Sequence, residues 1–255
     1  MRPTLEALAK ERVLILDGAM GTMIQKHKLS EGDYRGERFS DWKQPLQGNN
    51  DLLNLTQADI IRDIHVEYLR AGADLLETNT FNANAISMSD YGMESLVTEI
   101  NREGARLAKQ AIEIYQRENN RPAFVVGSIG PTNQTASLSP DVNRPGYRAT
   151  SFEKLQSVYA EQVSGLMDGG ADLLMVETVF DTLNAKAALA AIRQVFDERQ
   201  TKIPVMVSGT ITDASGRTLS GQTAEAFLIS LSHFPLFSIG LNCALGADQL
   251  LPYVQ

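Results

Sequence analysis

The chain has 255 residues, with 23 Lys and Arg against 31 Asp and Glu, so its net charge is −8. Hydrophobic residues make up 43% and charged residues 21%, which is typical of a folded globular protein and not of a disordered chain. The acidic balance, with no block of Lys or Arg, argues against a nucleic-acid or anionic-membrane partner. A single Cys excludes an intrachain disulfide, and the apolar runs are too short for a signal peptide or a membrane span. We therefore expect a cytoplasmic protein.

Six short apolar runs, bounded by Gly, Pro or polar residues, are predicted to be strands. They are continuous instead of alternating, which is typical of parallel strands buried on both faces. The runs are Val13–Leu16, Leu75–Leu76, Phe124–Val126, Leu173–Val176, Val205–Val207 and Phe237–Ile239.

Helical patterns fill the gaps between these runs. Thr56–Asp59 is interpreted as a capping signal for a helix that carries Ile60, Ile61, Ile64 and Leu69 on one face. Further helices are predicted from about Ser95 to Ile114, Phe152 to Leu166, Leu183 to Phe196, Thr223 to Ser232, and over residues 247–255.

One peptide occurs twice in nearly the same form. Residues 71–76 read AGADLL and residues 169–174 read GGADLL, and both are followed by Glu-Thr. Each copy ends a helix with Gly at its C-cap and leads into a strand. Such repetition is the signature of βα units, and it favours a (β/α)8 barrel of the TIM type over a doubly wound sheet.

The number of strands falls short of a complete barrel. Eight βα units close such a barrel, whereas the sequence predicts six strands. Residues 25–55, rich in Gly, Asn and charge, are predicted to be a long insertion after the first strand. We therefore expect residues 1–255 to form one barrel domain, truncated to about six βα units and incomplete at its C-terminus.

Polar residues gather where the predicted strands end, which is where parallel α/β folds bind their ligands. The set holds three carboxylates, several small polar residues and one thiol: Asp17, Glu77, Thr78, Asn79, Gly130, Glu177, Thr178, Asn242 and Cys243. Any one of these carboxylates could equally cap a helix or pair with a cation at the rim. Three of them together favour a site for a small amine-bearing molecule.

The only thiol, Cys243, follows a strand and precedes a helix, a position that can lower the pKa of a thiol. A lone Cys is more often an inert buried residue, and a zinc site needs three or four ligands. His27, His65 and His233 do not lie at metal-ligand spacing from it, so we interpret them as structural or solvated.

The segment GRTLSGQT at 216–223 matches the spacing of a phosphate-binding loop, except that Gln222 stands where Lys is required. Without that cation the phosphates of a nucleotide are not neutralised, so we reject nucleotide hydrolysis. No GxGxxG dinucleotide motif occurs either.

Motifs along the whole chain resemble one family. The matching segments are 17–25 (DGAMGTMIQ), 34–39 (YRGERF), 48–53 (GNNDLL), 77–82 (ETNTFN), 130–133 (GPTN), 139–143 (SPDVN), 177–188, 208–223 and 240–246. In this order they resemble the homocysteine-binding domain at the N-terminus of cobalamin-dependent methionine synthase. The resemblance implies a zinc-dependent methyltransferase barrel.

The resemblance also implies roles for individual residues. In the family, one Cys after the sixth strand and an adjacent pair after the eighth hold zinc; Cys243 matches the first, and the pair has no counterpart in this sequence. Asp17 and Glu177 match the carboxylates that hold the homocysteine ammonium group. Weaker candidates for substrate contacts are Gly18, Gly21, Thr22, Thr78, Asn79 and Asn242.

The reaction implied by the resemblance is methionine biosynthesis. Zinc removes the proton of the homocysteine thiol and holds the sulfur, and the thiolate takes the methyl group of methylcobalamin. Cobalamin and methyltetrahydrofolate sit on later domains of the full-length protein. We therefore expect this part to bind homocysteine, to hold an incomplete zinc site, and to be inactive alone.

Alternatives from two classes stay open. Betaine-type and S-methylmethionine-type enzymes share the barrel and methylate homocysteine through zinc without cobalamin; segments 35–39 and 208–223 favour the cobalamin-dependent branch. The chain could also be an inactive fragment or a non-catalytic amino-acid-binding module.

Overall fold

A computed structural model describes residues 3–212 and 215–254. Asp213 and Ala214, which belong to the 208–223 segment, lie outside the described residues. In the described part, five parallel strands pair in chain order: β1 (Leu75–Glu77), β2 (Phe124–Ile129), β3 (Leu173–Val179), β4 (Val205–Gly209) and β5 (Ser238–Leu241). Parallel strands in sequential order are typical of a barrel, because a doubly wound sheet reverses direction at a switch point. The α/β class is confirmed, and the five described parallel strands fit the architecture of a TIM-type barrel.

The prediction that Val13–Leu16 forms the first strand is wrong. Leu16 forms only an isolated parallel bridge to Leu75, with the Asp17 N–H donating to the Leu75 carbonyl over 2.9 Å. Val13 is 82% exposed and Ile15 is 51% exposed, so this run is not buried on both faces. The physical reason is the shortness of the pairing, since only the Ile15 carbonyl and the Asp17 N–H form backbone hydrogen bonds with residues 74 and 75.

Eleven α-helices lie in the described part of the chain. They are α1 (Leu5–Glu11), α2 (Met20–Lys26), α3 (Glu31–Arg35), α4 (Leu53–Thr56), α5 (Ala58–Ala71), α6 (Ala85–Met88), α7 (Val97–Glu118), α8 (Phe152–Asp168), α9 (Thr182–Arg199), α10 (Ala224–Leu231) and α11 (Ala247–Val254). The six helices predicted from the sequence correspond to α5 and α7–α11.

The predicted capping signal at Thr56–Asp59 is wrong. Gln57 is the N-cap of α5 and makes no side-chain cap, while Thr56 ends α4, with its hydroxyl directed at the Leu52 carbonyl. A second short helix packed against the start of α5 takes the place of the predicted cap. At α10, by contrast, the Thr223 hydroxyl caps the helix by accepting the Ala226 N–H.

Both faces of the central strands are covered. Alternate residues such as Val125 and Leu174 pack against α5, α7, α8 and α9, whereas Val126 and Leu173 face a smaller cluster that includes Leu5 of α1. Burial on both faces therefore holds for β2 and β3.

The predicted insertion over residues 25–55 is a docked helical segment. It contains α3 and a short 3-10 helix, Asn50–Leu52, and it ends in α4. Its apolar side chains, including Tyr34 and Leu53, form a cluster with residues of α5 and α7 such as Ile64 and Ile100. This cluster places the end of the insertion beside the carboxyl ends of the strands.

The repeated peptide ties neighbouring strands together at their amino ends. The Asp74 carboxylate accepts the Ile15 N–H over 3.0 Å, and the Asp172 carboxylate accepts the Val125 N–H over 2.7 Å. In each copy a carboxylate at the start of one strand thus holds the start of the preceding segment. Cations neutralise both: Arg12 and Arg121 bind Asp74, and Lys109 binds Asp172.

The Asp74 cluster predicts a pH-dependent contribution to stability. Burial alone would raise the pKa of Asp74, but hydrogen bonds from Arg12, from the Ile15 N–H and from Arg121 lower it to about 2. Since the folded pKa lies below the unfolded value of 3.8, this stabilisation is present above pH 4 and is lost as the pH falls towards 2. Asp74→Ala should lower the melting temperature at pH 7 by about 5 °C.

The matched control is Asp168→Ala, which removes a surface carboxylate paired with Arg199. Its melting temperature should change by roughly 1 °C, because exposed ion pairs contribute little. The measurement is the melting temperature of the wild type and both variants, followed by thermal unfolding from pH 2 to pH 7. Equal shifts for the two variants, or a constant Asp74→Ala deficit down to pH 2, would contradict the assignment.

Candidate functional site

A cavity of about 450 Å³ opens at the carboxyl ends of the first strands. It brings together six of the predicted substrate-binding residues, namely Asp17, Gly18, Gly21, Thr78, Asn79 and Glu177. Glu77, which the sequence placed at a strand end, also lines it. The residues near the chain's carboxyl end, Asn242 and Cys243, lie outside this cavity.

The carboxylates of the cavity are held by backbone and hydroxyl donors. One oxygen of Asp17 accepts the N–H of Glu77 over 3.0 Å. The Ser128 hydroxyl on β2 donates to Glu177 on β3. These contacts fix the side chains of Asp17, beside β1, and Glu177, on β3, at the cavity.

A distortion of β3 follows directly after Glu177. Thr178 has φ +55°, a left-handed conformation that is strained for a β-branched residue, and the pairing of β3 with β4 shifts between Val176 and Val179. Irregular strands often occur beside active sites, where they change the direction of a side chain. Here Glu177 lines the cavity, while the Thr178 hydroxyl accepts a hydrogen bond from Asn242 over 2.8 Å.

Burial raises the pKa values of the carboxyl groups in this cavity. The pKa of Asp17 rises to about 7, because of burial and then the charge of Glu177. Burial, followed by the charges of Glu177 and Asp17, also raises the pKa of Glu77. The pKa of Glu177 is raised by burial against the opposing hydrogen bond from Ser128. None of the residues lining the cavity is Lys or Arg, so a bound cation would supply the missing positive charge.

A fourth carboxylate, Asp51, was missed by the sequence analysis. It comes from the docked insertion, is 4% exposed, and accepts the Asn82 N–H over 3.0 Å. Burial raises its pKa to about 7. The signal was present in the matched segment 48–53, but no strand-end rule points to a residue in an insertion.

The side chains of two predicted substrate contacts, Thr78 and Asn79, are already engaged in hydrogen bonds, and a third predicted contact, Thr22, lies away from the cavity. The Thr78 hydroxyl pairs with Thr80 and accepts the Ser128 N–H, and the Asn79 amide donates to the Asn50 carbonyl and to Asn54. Both groups line the cavity, but these donors and acceptors stabilise its wall. Thr22 on α2 is exposed and does not line the cavity. Substrate binding by Thr22, Thr78 and Asn79 stays a prediction.

Asn242 connects the lone thiol to β3 and β4. Its amide donates to the Thr178 hydroxyl over 2.8 Å and to the Cys243 sulfur over 3.0 Å, and its carbonyl oxygen accepts the Ser208 hydroxyl over 2.8 Å. Cys243 is exposed and has φ +58°, so it is not the inert buried thiol that a lone Cys usually is. The Asn242 contacts hold Cys243 beside the strand that carries Glu177.

The described residues do not form a zinc site by themselves. Cys243 has suitable chemistry, but a catalytic zinc takes three protein ligands. Within residues 3–212 and 215–254, no group of three His, Cys, Asp or Glu side chains could hold a metal ion. Two of the three His residues are also placed elsewhere, since His65 is buried beside Asp17 and His233 contacts the Ser230 carbonyl.

Comparison with known proteins identifies the family. Residues 14–255 match the family model described as homocysteine S-methyltransferase. The chain belongs to this family. This result supports the predicted methyltransferase class and homocysteine as substrate, but it does not single out the N-terminal domain of methionine synthase.

Crystal structures of the homocysteine methyltransferase MmuM from Escherichia coli share the fold. The metallated form is 23% identical, with a TM-score of 0.76, and the match covers 98% of this chain and 81% of that one. The apo form is also 23% identical, with a TM-score of 0.71 and coverage of 98% and 79%. The oxidized form is 24% identical, with a TM-score of 0.74 and coverage of 94% and 76%.

No helix among residues 3–212 and 215–254 is both long enough and apolar enough to cross a bilayer.

The buried carboxylates predict that stability of the ligand-free chain falls with rising pH. Their folded pKa values lie above the unfolded ones, so folding retains protons and becomes less favourable from about pH 4 up through pH 7 and beyond. Asp17→Asn and Glu77→Gln should therefore raise the melting temperature at pH 8 by about 3 °C or more, and by less at pH 5. Asp59→Asn, at an exposed carboxylate, is the control. A lower melting temperature for both cavity variants at pH 8 would refute this interpretation.

The single thiol predicts weak zinc binding. After dialysis against a mild chelator, the 255-residue chain should retain far less than one zinc per chain, because one thiolate offers fewer ligands than the three of a catalytic site. The measurement is the zinc content per chain, determined by mass spectrometry, with Cys243→Ser as the control. One full equivalent of zinc that survives in Cys243→Ser would show that the ligands lie among residues interpreted here as structural.

Proposed function

We propose that this chain binds L-homocysteine in the carboxylate cavity and presents its thiol for methylation to methionine. The observation that carries the proposal is the burial of Asp17, Glu77, Glu177 and Asp51 around one cavity that no Lys or Arg lines. In a homocysteine S-methyltransferase, the ammonium group of the substrate supplies the charge that this cavity needs.

Asp17 and Glu177 are the proposed partners of the ammonium group. Both line the cavity, and each is already oriented by one donor, the Glu77 N–H for Asp17 and the Ser128 hydroxyl for Glu177. Charge-assisted hydrogen bonds from an ammonium group are stronger than neutral ones, particularly where water is excluded.

One ammonium group cannot neutralise all the carboxylates around it. Glu77, whose pKa is raised by burial and by the charges of Glu177 and Asp17, is the proposed holder of a retained proton. As a neutral acid, Glu77 can donate a hydrogen bond into the cavity without competing for the cation. Its proposed task is to orient the substrate.

Cys243 is proposed as one ligand of a zinc ion, as the family resemblance implies. The described residues provide no complete ligand set around it. The adjacent pair of thiolates that the resemblance implies has no counterpart in the sequence, which contains one Cys. We therefore keep the proposal that residues 1–255 are part of a longer homocysteine-binding domain.

The methyl donor separates two candidate functions. The fold shared with MmuM, a homocysteine methyltransferase, favours the cobalamin-independent branch. The motifs at 35–39 and 208–223 favour the cobalamin-dependent branch. In that branch the donor is methylcobalamin, and the partners are cobalamin and folate domains.

A donor test distinguishes the two branches. The longer homocysteine-binding domain, of which residues 1–255 are the proposed part, is incubated with homocysteine and zinc and supplied separately with S-methylmethionine, betaine or methylcobalamin. The methionine formed is measured by mass spectrometry. Methionine formed from either of the first two without cobalamin supports the cobalamin-independent branch. Methionine formed only from methylcobalamin supports the other branch.

Glu177→Gln should weaken homocysteine binding by about tenfold or more, since a neutral amide replaces a charge-assisted bond of about 1.5–3 kcal/mol. The measurement is a calorimetric titration with L-homocysteine at pH 7.5. Glu113→Gln, at an exposed position of α7, is the matched control and should bind as the wild type does. An unchanged affinity in Glu177→Gln would remove Glu177 from the proposed site.

A further inference from the structure

A buried imidazole without a partner lies behind the cavity. His65 on α5 is fully buried, and neither of its ring nitrogens has a hydrogen-bond partner in the described structure. Leaving a buried polar group unpaired is unfavourable, and such groups are rare in folded proteins. The unpaired ring nitrogens of His65 therefore call for an explanation.

A carboxylate of the proposed substrate site lies close to this ring. The Nδ1 atom of His65 lies 3.9 Å from Oδ2 of Asp17, a separation longer than a hydrogen bond. The other oxygen of Asp17 is already bound by the Glu77 N–H. The Asp17 side chain is 2% exposed, so water has little access to Oδ2.

We propose that His65 is a positioning residue, whose Nδ1–H donates to Oδ2 of Asp17 when the substrate ammonium binds. The inference rests on the proposed function, because it requires Asp17 to hold the ammonium group. Closing the gap takes a movement of roughly 1 Å, since the optimum for such a bond is about 2.9 Å. Substrate binding drives it because an ionised carboxylate is a stronger acceptor than a neutral acid.

The imidazole suits this task because it donates without bringing a charge. Burial lowers the pKa of His65 to about 4, so the ring is neutral at physiological pH. A permanent cation at this position would compete with the ammonium group for Asp17. A neutral donor stabilises the Asp17 anion and leaves its charge available.

Other titratable groups near this pair must be separated from the effect of His65. Glu77 on β1 and Glu177 on β3 share the cavity with Asp17, and the charge of Asp17 acts on Tyr68 of α5. Helix α4 carries no titratable side chain, and the ion pair between α5 and α7, Arg70–Glu118, is at the surface.

The test compares three variants of His65 by calorimetric titration with L-homocysteine from pH 6 to pH 9. His65→Leu removes the donor, His65→Asn places an amide N–H near the Nδ1 position, and His65→Gln places one near Nε2. His65→Leu should bind about tenfold more weakly at pH 7 and should shift the pH midpoint of binding upward. His65→Asn should restore most of the affinity and the wild-type midpoint, and His65→Gln should not.

Two controls make each outcome decisive. If Asp17→Asn weakens binding while His65→Leu keeps the wild-type affinity and pH midpoint, the role of His65 is refuted and the proposed function stands. If Asp17→Asn binds normally, the proposed function itself fails. Should the His65 variants not fold, the ¹⁵N resonance of Nδ1 in the wild type decides: a shift on adding homocysteine supports the bond, and an unchanged resonance overturns it.

Discussion

The burial of several carboxylates in one cavity, with no Lys or Arg lining it, is the constraint on which this structure depends. Burial raises the pKa of Asp17 to about 7 and also raises that of Glu77, so ionising these groups costs stability. The Glu77 N–H holds the Asp17 carboxylate in place, and the Ser128 hydroxyl holds the Glu177 carboxylate. A cationic ligand relieves the repulsion, which links ligand binding directly to the stability of the fold.

The two ends of the sheet treat the same chemical group in opposite ways. At the amino ends, Asp74 and Asp172 are matched by Arg12, Arg121 and Lys109, and each ties neighbouring segments together. At the carboxyl ends, the carboxylates of the cavity are left without such partners. Paired charges at one end stabilise the sheet, whereas the unpaired carboxylates at the other end are the proposed partners of a cationic ligand.

Much of this arrangement follows from sequence patterns, because apolar runs and helical periodicity report burial directly. Asp17 and Glu177 could be selected because they end such runs. Leu16 and its neighbours misled the prediction because an apolar run does not reveal whether a second strand lies beside it. His65 is indistinguishable in sequence from an ordinary polar residue of a helix face, since only the folded chain brings α5 behind Asp17.

The docked insertion gives the cavity a wall that can change independently. Its apolar cluster, which includes Tyr34 and Leu53, is distinct from the clusters that pack on the sheet. Asp51 reaches the cavity from this segment, whereas Glu177 lies on β3 and Asp17 lies next to the Leu16 bridge to β1. Exchange of the insertion between relatives would therefore alter the shape and charge of the cavity opposite Asp17 and Glu177 while the sheet stays intact. Divergence in ligand choice within one scaffold needs only this kind of modular wall.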